Sequence, residues 1–309
     1  MSRLAVIGSL NSDITVGVEH LPAPGETIMA SSPTHVGFGG KGGNQASAAA
    51  ALGGDVAMVA RVGEDEVGAS IRADLVDRGI ETSLVRTTRG TRTGTALIIV
   101  ERGGDNVIVV DAGANAKLAP SDVTNATVGE ASVVLVQLEI PMPTVTEAVR
   151  TATGLVVLNP APAALLGDDI LSRVNLLVPN RSELGQLTRR PAPDGPEAAL
   201  HLVDSLPFDF DVVVTLGAVG ALLVRRGQSR AVLIAAPTVH VIDATGAGDA
   251  FCGALAVGLA EHGDMDKAAV LAVAAASLST TAPGARGVLA TRRQAELLAA
   301  SVSTQTLPR

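Results

Sequence analysis

The sequence Asp243-Ala-Thr-Gly-Ala-Gly-Asp-Ala-Phe-Cys-Gly253 joins a strand-like run, residues 231–242, to an apolar, Ala-rich run that predicts a helix over residues 250–260. Its glycines allow a tight turn and let the backbone come close to a ligand. The free amides that begin a helix then point at that ligand, and the helix dipole favours negative charge there. The Gly-Ala-Gly turn therefore predicts an anion hole in front of a helix.

Asp249 lies in the first turn of this predicted helix, where a carboxylate is stabilised in its ionised form. A carboxylate beside a nest of amides suits phosphoryl transfer to an alcohol, because the carboxylate takes the hydroxyl proton while the amides hold the phosphoryl oxygens. The same pattern also fits an ordinary acidic cap that follows a glycine turn. The local sequence leaves both interpretations open.

Composition limits the class of protein. The chain has 309 residues, which allows a single large α/β domain, and its formal charge of −8 gives no indication of a nucleic-acid surface. The one cysteine, Cys252, excludes a disulfide framework and fits a reducing compartment. Residues 4–7 are too short an apolar run for a signal peptide, and the Ala-rich residues 268–282 are too few to span a bilayer. We expect a soluble, cytoplasmic protein with no membrane partner.

The first predicted strand, residues 4–8, is a short apolar run that ends at glycine. The polar sequence Ser9-Leu-Asn-Ser-Asp13 follows at its carboxyl end, which is where open α/β sheets bind ligands. Asn11 and Asp13 are either turn formers or partners for sugar hydroxyls, since a carboxylate accepts two hydrogen bonds and an amide both donates and accepts.

Two hairpins are predicted in the first third of the chain. The first pairs residues 14–18 with residues 26–36, and the second pairs residues 93–100 with residues 106–110 across the turn at residues 101–105. We expect the two hairpins to form one small accessory sheet.

Beyond the second hairpin, strand-like and helix-like segments alternate. This pattern predicts a mostly parallel sheet covered by helices on both faces. The predicted strands here are residues 133–138, 155–159, 176–178 and 212–216.

The sequence Gly37-Phe-Gly-Gly-Lys-Gly-Gly-Asn44 contains a literal G-x-G-x-x-G ahead of a helix-like run, residues 45–52. The dinucleotide interpretation is weak, because a hairpin separates these glycines from the first strand and Asp55 lies before its strand rather than after it. The phosphate-binding P-loop pattern is also missing, because glycine follows the lysine. We interpret the motif as a glycine floor for a polyhydroxyl ligand, which Lys41 and Asn44 reach.

Two further polar groups follow predicted strands. Asn180 and Glu183 lie three residues apart on an opening helix, so their side chains can face one pocket or one metal ion. They fit a capping box equally well. The turn Thr215-Leu-Gly-Ala-Val-Gly220 is suited to lie against a nucleotide, or to be a plain hairpin.

The two glycine motifs together carry a family resemblance. The chain resembles the ribokinase branch of the PfkB-type carbohydrate kinases over essentially its full length, through Gly39-Gly-Lys-Gly-Gly-Asn44 and the motif of residues 243–253. The second motif is specific for the family, and the combination of Asn11, Asp13, Lys41, Asn44 and Glu139 points to ribose within it. Other polar stretches fall where such kinases have them: Asn11-Ser-Asp13, Gln137-Leu-Glu139, Asn159-Pro-Ala-Pro162, residues 180–183 and Thr215-Leu-Gly217.

The resemblance implies a ribokinase-like three-layer α/β fold, in which a mostly parallel central sheet is covered by helices on both faces. It implies one domain over residues 1–309, with an accessory sheet from about residues 11–38 and 91–111 that closes as a lid. The implied reaction is ATP-dependent phosphorylation of D-ribose at O5, with Mg²⁺ and with K⁺ as a monovalent activator. The implied partners are a sugar, ATP and a second copy of the chain, bound through the lid sheet.

The resemblance also implies a role for each matching residue, and Glu183 would help to place Mg²⁺ through water. The catalytic set has Asp249 as the base and an anion hole from the amides of Gly246, Ala247 and Gly248. The sugar set is Asn11, Ser12, Asp13, Gly39, Gly40, Lys41, Gly42, Gly43, Asn44, Glu139 and Asp249. The nucleotide set is Asn180, Glu183, Thr215, Leu216, Gly217, Ala218, Val219, Gly220, Gly248 and Asp249. The monovalent cation set, acting largely through carbonyls, is Asp243, Thr245, Ser279, Ala282 and Gly284.

Three alternative functions stay open. The first is a kinase of 2-deoxyribose, fructose or a nucleoside; four Phe with no Tyr or Trp argue against a nucleoside, which would favour aromatic stacking. The second is a catalytically silent sugar- or nucleotide-binding protein, against which the intact Asp249 and its glycines count. The third is a nicotinamide dehydrogenase, which the G-x-G-x-x-G match raises and its position in the chain weakens.

Overall fold

The computed structural model describes residues 3–103, 105–207 and 210–309, and its strands form two separate sheets. The strands are β1 (Arg3–Ile7), β2 (Asn11–Val18), β3 (His35–Gly39), β4 (Asp55–Gly63), β5 (Val85–Thr88), β6 (Gly94–Glu101), β7 (Asn106–Asp111), β8 (Val133–Val136), β9 (Leu155–Leu158), β10 (Leu176–Leu177), β11 (Asp211–Thr215), β12 (Gly220–Val224), β13 (Arg230–Ala235) and β14 (Thr304–Pro308).

The large sheet has the order β14-β13-β12-β11-β10-β9-β8-β1-β4-β5. Its strands are parallel from β11 to β5, and β12, β13 and β14 add an antiparallel edge. The predicted mostly parallel sheet is therefore confirmed. Because the carboxyl ends of the parallel strands share one edge, the polar residues that follow them are brought together there.

Helices cover both faces of the large sheet, as predicted. Alternate residues of β1 show this: Leu4 and Val6 pack into one apolar cluster with α1, α2, α7 and α8, whereas Ala5 and Ile7 pack into another with α3, α5 and α6. The helices are α1 (Lys41–Ala51), α2 (Glu66–Asp77), α3 (Met142–Thr151), α4 (Asp168–Leu171), α5 (Arg181–Thr188), α6 (Pro196–Asp204), α7 (Ala247–His262), α8 (Met265–Ser279) and α9 (Arg292–Ala299). Short 3₁₀ turns span Gly113–Lys117, Pro120–Asp122 and Gly217–Val219, and a π turn spans Asn125–Gly129. Across the described ranges, none of the helices is both long and apolar enough to cross a membrane.

The small sheet has the order β3-β2-β6-β7, so the two predicted hairpins do join in one accessory sheet. The second hairpin lies where it was predicted, although Gly104 of its turn is outside the described residues. The first hairpin differs at both ends. Its first strand already begins at Asn11, because Asn11 to Val18 pair in parallel with β6, and its second strand is His35–Gly39 rather than residues 26–36.

Two other predicted boundaries are also wrong. The strand predicted over residues 231–242 ends at Ala235, because its partner β14 begins at Thr304, opposite Ile234. The helix predicted over residues 45–52 begins four residues earlier, at Lys41 inside the glycine motif, and the first residues of that motif end β3. These glycines therefore form the joint between the small sheet and a helix of the large one.

Candidate active site

The two sequence motifs meet through the packed helices α1 and α7. Asn44 Nδ2 donates to Oδ2 of Asp249 at 2.9 Å, and Gln45 Nε2 donates to Oδ1 of the same carboxylate at 3.0 Å. Asp249 is only 7% exposed, and α7 begins after Gly246 with no side-chain cap among its described contacts. The ordinary-cap interpretation of Asp249 is therefore wrong, because the carboxylate binds side chains of another helix.

The predicted anion hole lies at the turn before α7, which depends on glycine. Gly246 has a φ of 76°, which favours glycine, and its backbone lies so close to the next segment that a Cβ would come within 2.7 Å of Ala285 Cα. Ala247 N, predicted as one of the anion-hole amides, donates to Ala244 O at 3.2 Å and is therefore already bonded within the turn. Gly246 and Gly248 line the same cavity as Asp249.

A chain of buried amides fixes the orientation of Gln45. Its Oε1 accepts from Gln137 Nε2 at 2.5 Å, and its Nε2 donates to Asn159 Oδ1 at 3.1 Å as well as to Asp249. Because an amide has one acceptor end and one donor end, the donor from Gln137 turns the NH₂ group of Gln45 toward the carboxylate. The donor from Gln45 to Asp249 is therefore itself fixed by hydrogen bonds to Gln137 and Asn159.

On the predicted sugar side, β2 carries Asn11, Ser12 and Asp13 at the start of the small sheet. Asn11 is buried, and its Oδ1 accepts from Asn115 Nδ2 at 2.7 Å. Asn115 also bonds both backbone groups of Leu10, which makes the segment after β1 rigid. The strand geometry places these side chains at the edge where the small sheet meets the large one.

Asp13 is the predicted sugar residue with the clearest unmet hydrogen-bonding capacity. Among the described residues, its Oδ1 is one of a few buried side-chain atoms without a hydrogen-bond partner. Burial raises the pKa of Asp13 to about 6; the Arg286 guanidinium lowers it, and the Glu139 and Asp249 carboxylates raise it further. A buried acceptor without a donor costs free energy, and a ligand hydroxyl would supply the missing donor.

Glu139 follows β8 and hydrogen-bonds both the segment after β1 and the first residue of α1. Its Oε2 accepts from Ser9 Oγ at 2.5 Å and from Lys41 N at 3.0 Å. Burial alone would lower the pKa of Lys41, but the carboxylates of Asp249, Glu139 and Glu183 outweigh it and raise that pKa. Lys41 is therefore a positive charge surrounded by three acids at the first turn of α1.

The predicted nucleotide residues Asn180 and Glu183 form the capping box that the sequence allowed. Glu183 N donates to Asn180 Oδ1 at 2.8 Å, while Asn180 N and Asn180 Nδ2 each donate to the Glu183 carboxylate at 2.8 Å. The box accounts for both residues as caps of α5 without excluding a ligand role. Burial raises the pKa of Glu183, and the bond from Asn180 and the charge of Lys41 oppose that rise.

The turn predicted to meet a nucleotide is also the hairpin that the alternative interpretation described. Gly217–Val219 form a 3₁₀ turn between β11 and β12, which are antiparallel. Leu216 is buried, whereas the turn residues Gly217, Ala218 and Val219 are exposed and Gly220 re-enters the sheet.

One cavity of about 180 Å³ brings the predicted groups together. It is lined by Lys41 from the first glycine motif, by Asp249, Gly246 and Gly248 from the second, and by the nucleotide-side residues Asn180, Glu183 and Thr215. A neighbouring cavity of about 360 Å³ is lined by Ser9, Asn11, Asn115 and Glu139 together with apolar residues. Leu216 to Gly220 do not line the first cavity, although they directly follow Thr215.

Several of the predicted cation residues are joined by hydrogen bonds next to the predicted anion hole. Asp243 Oδ1 accepts from Thr245 N at 2.8 Å, and its Oδ2 accepts from Gly284 N at 2.7 Å. Burial alone would raise the pKa of Asp243, but these bonds outweigh it and hold the pKa below its usual value. Asp243 N also donates to Thr280 O at 3.1 Å, which brings residues 279–284 to the same place.

The oxygen atoms that could bind a cation near Asp243 are mostly backbone carbonyls. The Ser279 hydroxyl donates to Ala276 O at 2.8 Å inside α8, so of the predicted cation-binding groups of Ser279 the backbone carbonyl is the one not used by this bond. Within the described ranges, no cluster of three or more His, Cys, Asp or Glu side chains is arranged to hold a metal ion. The chemistry of this donor set fits a monovalent ion held by carbonyls better than a transition metal.

Several contributors were missed by sequence reasoning. Gln45, Asn115 and Arg286 were not among the predicted site residues, yet each hydrogen-bonds a predicted one. Burial lowers the pKa of Arg286 to about 10, with Asp74 raising it and Arg78 lowering it. Cys252 lines the cavity, but burial raises the pKa of its thiol well above the usual value, so it is no nucleophile.

Comparison with known proteins identifies the family. Residues 1–292 match the family described as pfkB family carbohydrate kinases. A ribokinase of Bacillus subtilis is 37% identical over 96% of this chain and 99% of its own length. A deoxyribokinase of Salmonella typhi is 36% identical over 91% of this chain and 93% of its own length.

The fold is shared with solved ribokinases. The structure of the Arabidopsis thaliana ribokinase complexed with ribose and ATP superposes with a TM-score of 0.87 at 32% identity, covering 96% of this chain and 98% of that one. The chain belongs to the pfkB family of carbohydrate kinases, and the resemblance predicted from the two glycine motifs is confirmed.

Proposed function

We propose that this protein phosphorylates D-ribose at O5 with ATP, giving D-ribose 5-phosphate. The observation that carries the proposal is the meeting of the two motifs: side chains of the first, Asn44 and the adjacent Gln45, hold the carboxylate of Asp249 in the second. The similarity to ribokinases over nearly the full chain supports ribose as the sugar.

In this mechanism Asp249 accepts the proton of the ribose O5 hydroxyl as that oxygen attacks the terminal phosphoryl group. The free amides at the start of α7 hold the phosphoryl oxygens, and Lys41 places a compact positive charge beside Asp249 and Glu183, which line the same cavity. Asn11, Asp13 and Glu139 bind the remaining sugar hydroxyls. Asp13 does so as a carboxylate above its pKa of about 6.

Two ions belong to the proposal. When bound, Mg²⁺ would neutralise charge on the nucleotide phosphates, and we assign Glu183 to hold it through water, because the carboxylate keeps free lone pairs beyond its bonds to Asn180. K⁺ would supply positive charge next to the proposed anion hole, and the carbonyls around Asp243 and Gly284 are the groups that would bind it.

We further propose that residues 11–38 and 91–111 act as a lid within one domain and that the lid sheet pairs two copies of the chain. In support, the small sheet exposes large apolar side chains, with Val36 62% and Val109 59% exposed and Leu97 and Ile108 about half exposed. An exposed apolar patch on a soluble protein indicates an interaction surface. Sedimentation of wild type against Val109→Asp tests the pairing: a dimer that the substitution converts to monomer supports it, and a monomeric wild type contradicts it.

A cytoplasmic location is proposed together with the function. It is supported by the use of ATP and by the single, buried cysteine.

The test of the function is an ADP-release assay with ATP and Mg²⁺ over ribose, 2-deoxyribose, fructose and adenosine. We expect ribose to give the highest kcat/KM, and lower activity when tetramethylammonium replaces K⁺. Preference for 2-deoxyribose is the specific rival, because a deoxyribokinase is as similar to the chain as the ribokinases are. Folded protein without sugar-dependent ADP release would contradict the proposal and favour a binding protein.

A further inference from the structure

Arg286 is a buried cation in the segment between α8 and α9, at the contact between the two motifs. Its side chain is only 6% exposed. Each of its three guanidinium nitrogens donates to a different element: Nε to Asn44 Oδ1 at 2.8 Å in α1, Nη1 to Asp74 Oδ2 at 3.0 Å in α2, and Nη2 to Gly39 O at 3.1 Å at the end of β3. A planar guanidinium suits this use, because its donors point outward in fixed directions.

The bond to Asn44 has a consequence for the base. An arginine can only donate, so the oxygen of the Asn44 amide must face Arg286 and its NH₂ group must face away from it. That NH₂ group is the one that donates to Asp249 Oδ2 at 2.9 Å. Arg286 therefore orients a donor to the proposed base without touching the base.

The residues just before Arg286 in the chain contact the turn that precedes α7. Gly284 N donates to Asp243, and the backbone of Ala285 lies against Gly246 of the turn before α7. A Cβ on Gly43 would lie 2.2 Å from Arg286 Nη2, so the first glycine motif leaves room for the guanidinium.

We propose that Arg286 is a positioning residue that aligns Asn44 with Asp249 and fixes the root of the small sheet at Gly39. This proposal rests on the proposed kinase function. It assigns to Arg286 an effect on turnover through Asn44 and an effect on sugar binding through Gly39, which ends the strand paired with β2 and Asp13.

The test compares Arg286→Gln and Arg286→Lys with the matched control Arg78→Gln. Arg78 also bonds Asp74, at 3.0 Å, but its described contacts include no bond to Asn44 or Gly39. Each protein is assayed for kcat, sugar KM and thermal midpoint, at temperatures well below that midpoint. We expect kcat of Arg286→Gln to fall about 10²-fold, the scale of a small misplacement of a catalytic group, whereas Arg78→Gln keeps the wild-type kcat.

A pH profile distinguishes alignment from mere support of the fold. The charged groups that act on Asp13 are Arg286, Glu139 and Asp249. Losing the cation removes the influence that lowers the pKa of Asp13, so the acid limb of kcat/KM for the sugar should move to higher pH in Arg286→Gln. Arg286→Lys restores the charge but not the three-way geometry, so its limb should return toward wild type while its kcat stays low.

The outcomes separate the two proposals. A wild-type protein without sugar-dependent turnover or sugar binding by calorimetry counts against the function. An active wild type whose folded Arg286→Gln has a lower thermal midpoint but a kcat and acid limb within twofold of wild type overturns the role of Arg286. If Arg286→Gln does not fold, Arg286→Lys and Asp74→Asn decide: both should lower kcat, and wild-type kcat in both overturns the role equally.

Discussion

The proposed sugar side and the proposed nucleotide side of this site are built differently. On the sugar side, Asn11, Asn44 and Gln45 are buried and bonded to other buried side chains, so their orientations are fixed in advance. On the nucleotide side, Asn180 and Glu183 satisfy each other within one turn. A preorganised group acts on the reacting atoms without having to reorganise. A pair of residues that bond mainly to each other contributes less to the reaction, so a substitution in that pair should have a smaller effect on turnover.

This difference ranks the substitutions. Substitutions at the centre of the buried network should lower turnover, and substitutions at its rim should weaken sugar affinity. Substitutions on the nucleotide side should have small effects, limited to nucleotide affinity. A nucleotide-side substitution that lowers turnover as much as a change at Asp249 would break the contrast.

The largest effect is expected for Asp249→Asn. The amide cannot accept the hydroxyl proton, and it has one acceptor oxygen for the two donors from Asn44 and Gln45. We expect kcat to fall by about 10²- to 10⁴-fold, the usual scale for general base catalysis. Steady-state kinetics with circular dichroism as the folding control checks this, and near-normal turnover in folded protein removes Asp249 from the role.

Asp13→Asn should act next most strongly, and on the sugar. Losing hydrogen bonds to a charged acceptor is worth about 1.5–3 kcal/mol, which corresponds to about 10- to 10²-fold in kcat/KM for the sugar. In wild type, kcat/KM should fall as the pH drops through about 6, where Asp13 takes up a proton. The variant should lack that limb at saturating ATP; a limb that persists would belong to another group.

The same residue makes an opposite prediction for stability. The pKa of Asp13 is raised in the folded protein from 3.8 to about 6, so the folded state binds the proton more tightly. The contribution of this proton to the free energy of unfolding is complete below about pH 4 and is lost as the pH rises through about 6. Asp13→Asn should therefore be more stable than wild type at pH 7, by at most about 3 kcal/mol, as measured by urea unfolding. Equal stability at pH 7 would contradict the burial of an ionised Asp13.

Some features of the site could be predicted from the sequence and others could not, depending on whether the residues involved are close together in the chain. Asp249 and its glycines are contiguous, so the chemistry of that motif is visible locally. The bonds from Asn44 and Gln45 join distant parts of the chain, and only the packing of α1 against α7 creates them. Arg286 stands in an irregular segment with no local signal, so nothing in the sequence pattern distinguishes it from a surface arginine.

The strand boundaries teach a related point. Asn11 to Asp13 have turn-forming side chains, yet they are extended because β6 pairs with them. Residues 236–242 have a strand-like composition, yet β13 stops at Ala235, with its last bonds to β14 made near Thr304. In both places the partner strand, rather than the local propensity, decides.

Gln45→Met tests whether the buried amides act on the base or only on the fold. The substitution removes one donor to Asp249, and we expect kcat to fall about tenfold, on the scale of one hydrogen bond to a charged group. It also leaves Gln137 Nε2 without its acceptor and Asn159 Oδ1 without this donor, which should lower the free energy of unfolding by about 1–3 kcal/mol. The double variant Gln45→Met/Gln137→Met should regain the part of that stability lost at Gln137, but not kcat. Recovery of both would mean that the amides serve the fold alone.

The smallest effect is expected for Glu183→Gln, on the nucleotide side. The amide oxygen can still accept from Asn180 N, so the cap of α5 is largely kept and the free energy of unfolding should change by no more than about 1 kcal/mol. The lost charge should raise KM for Mg²⁺-ATP a few-fold and make it more dependent on Mg²⁺ concentration, while sugar KM stays unchanged. Asn180→Asp is the matched control, because it keeps an acceptor for Glu183 N but places a second carboxylate beside Glu183. An increase in sugar KM in Glu183→Gln would show that the two sides are coupled, through Lys41, whose pKa is raised by both Glu139 and Glu183.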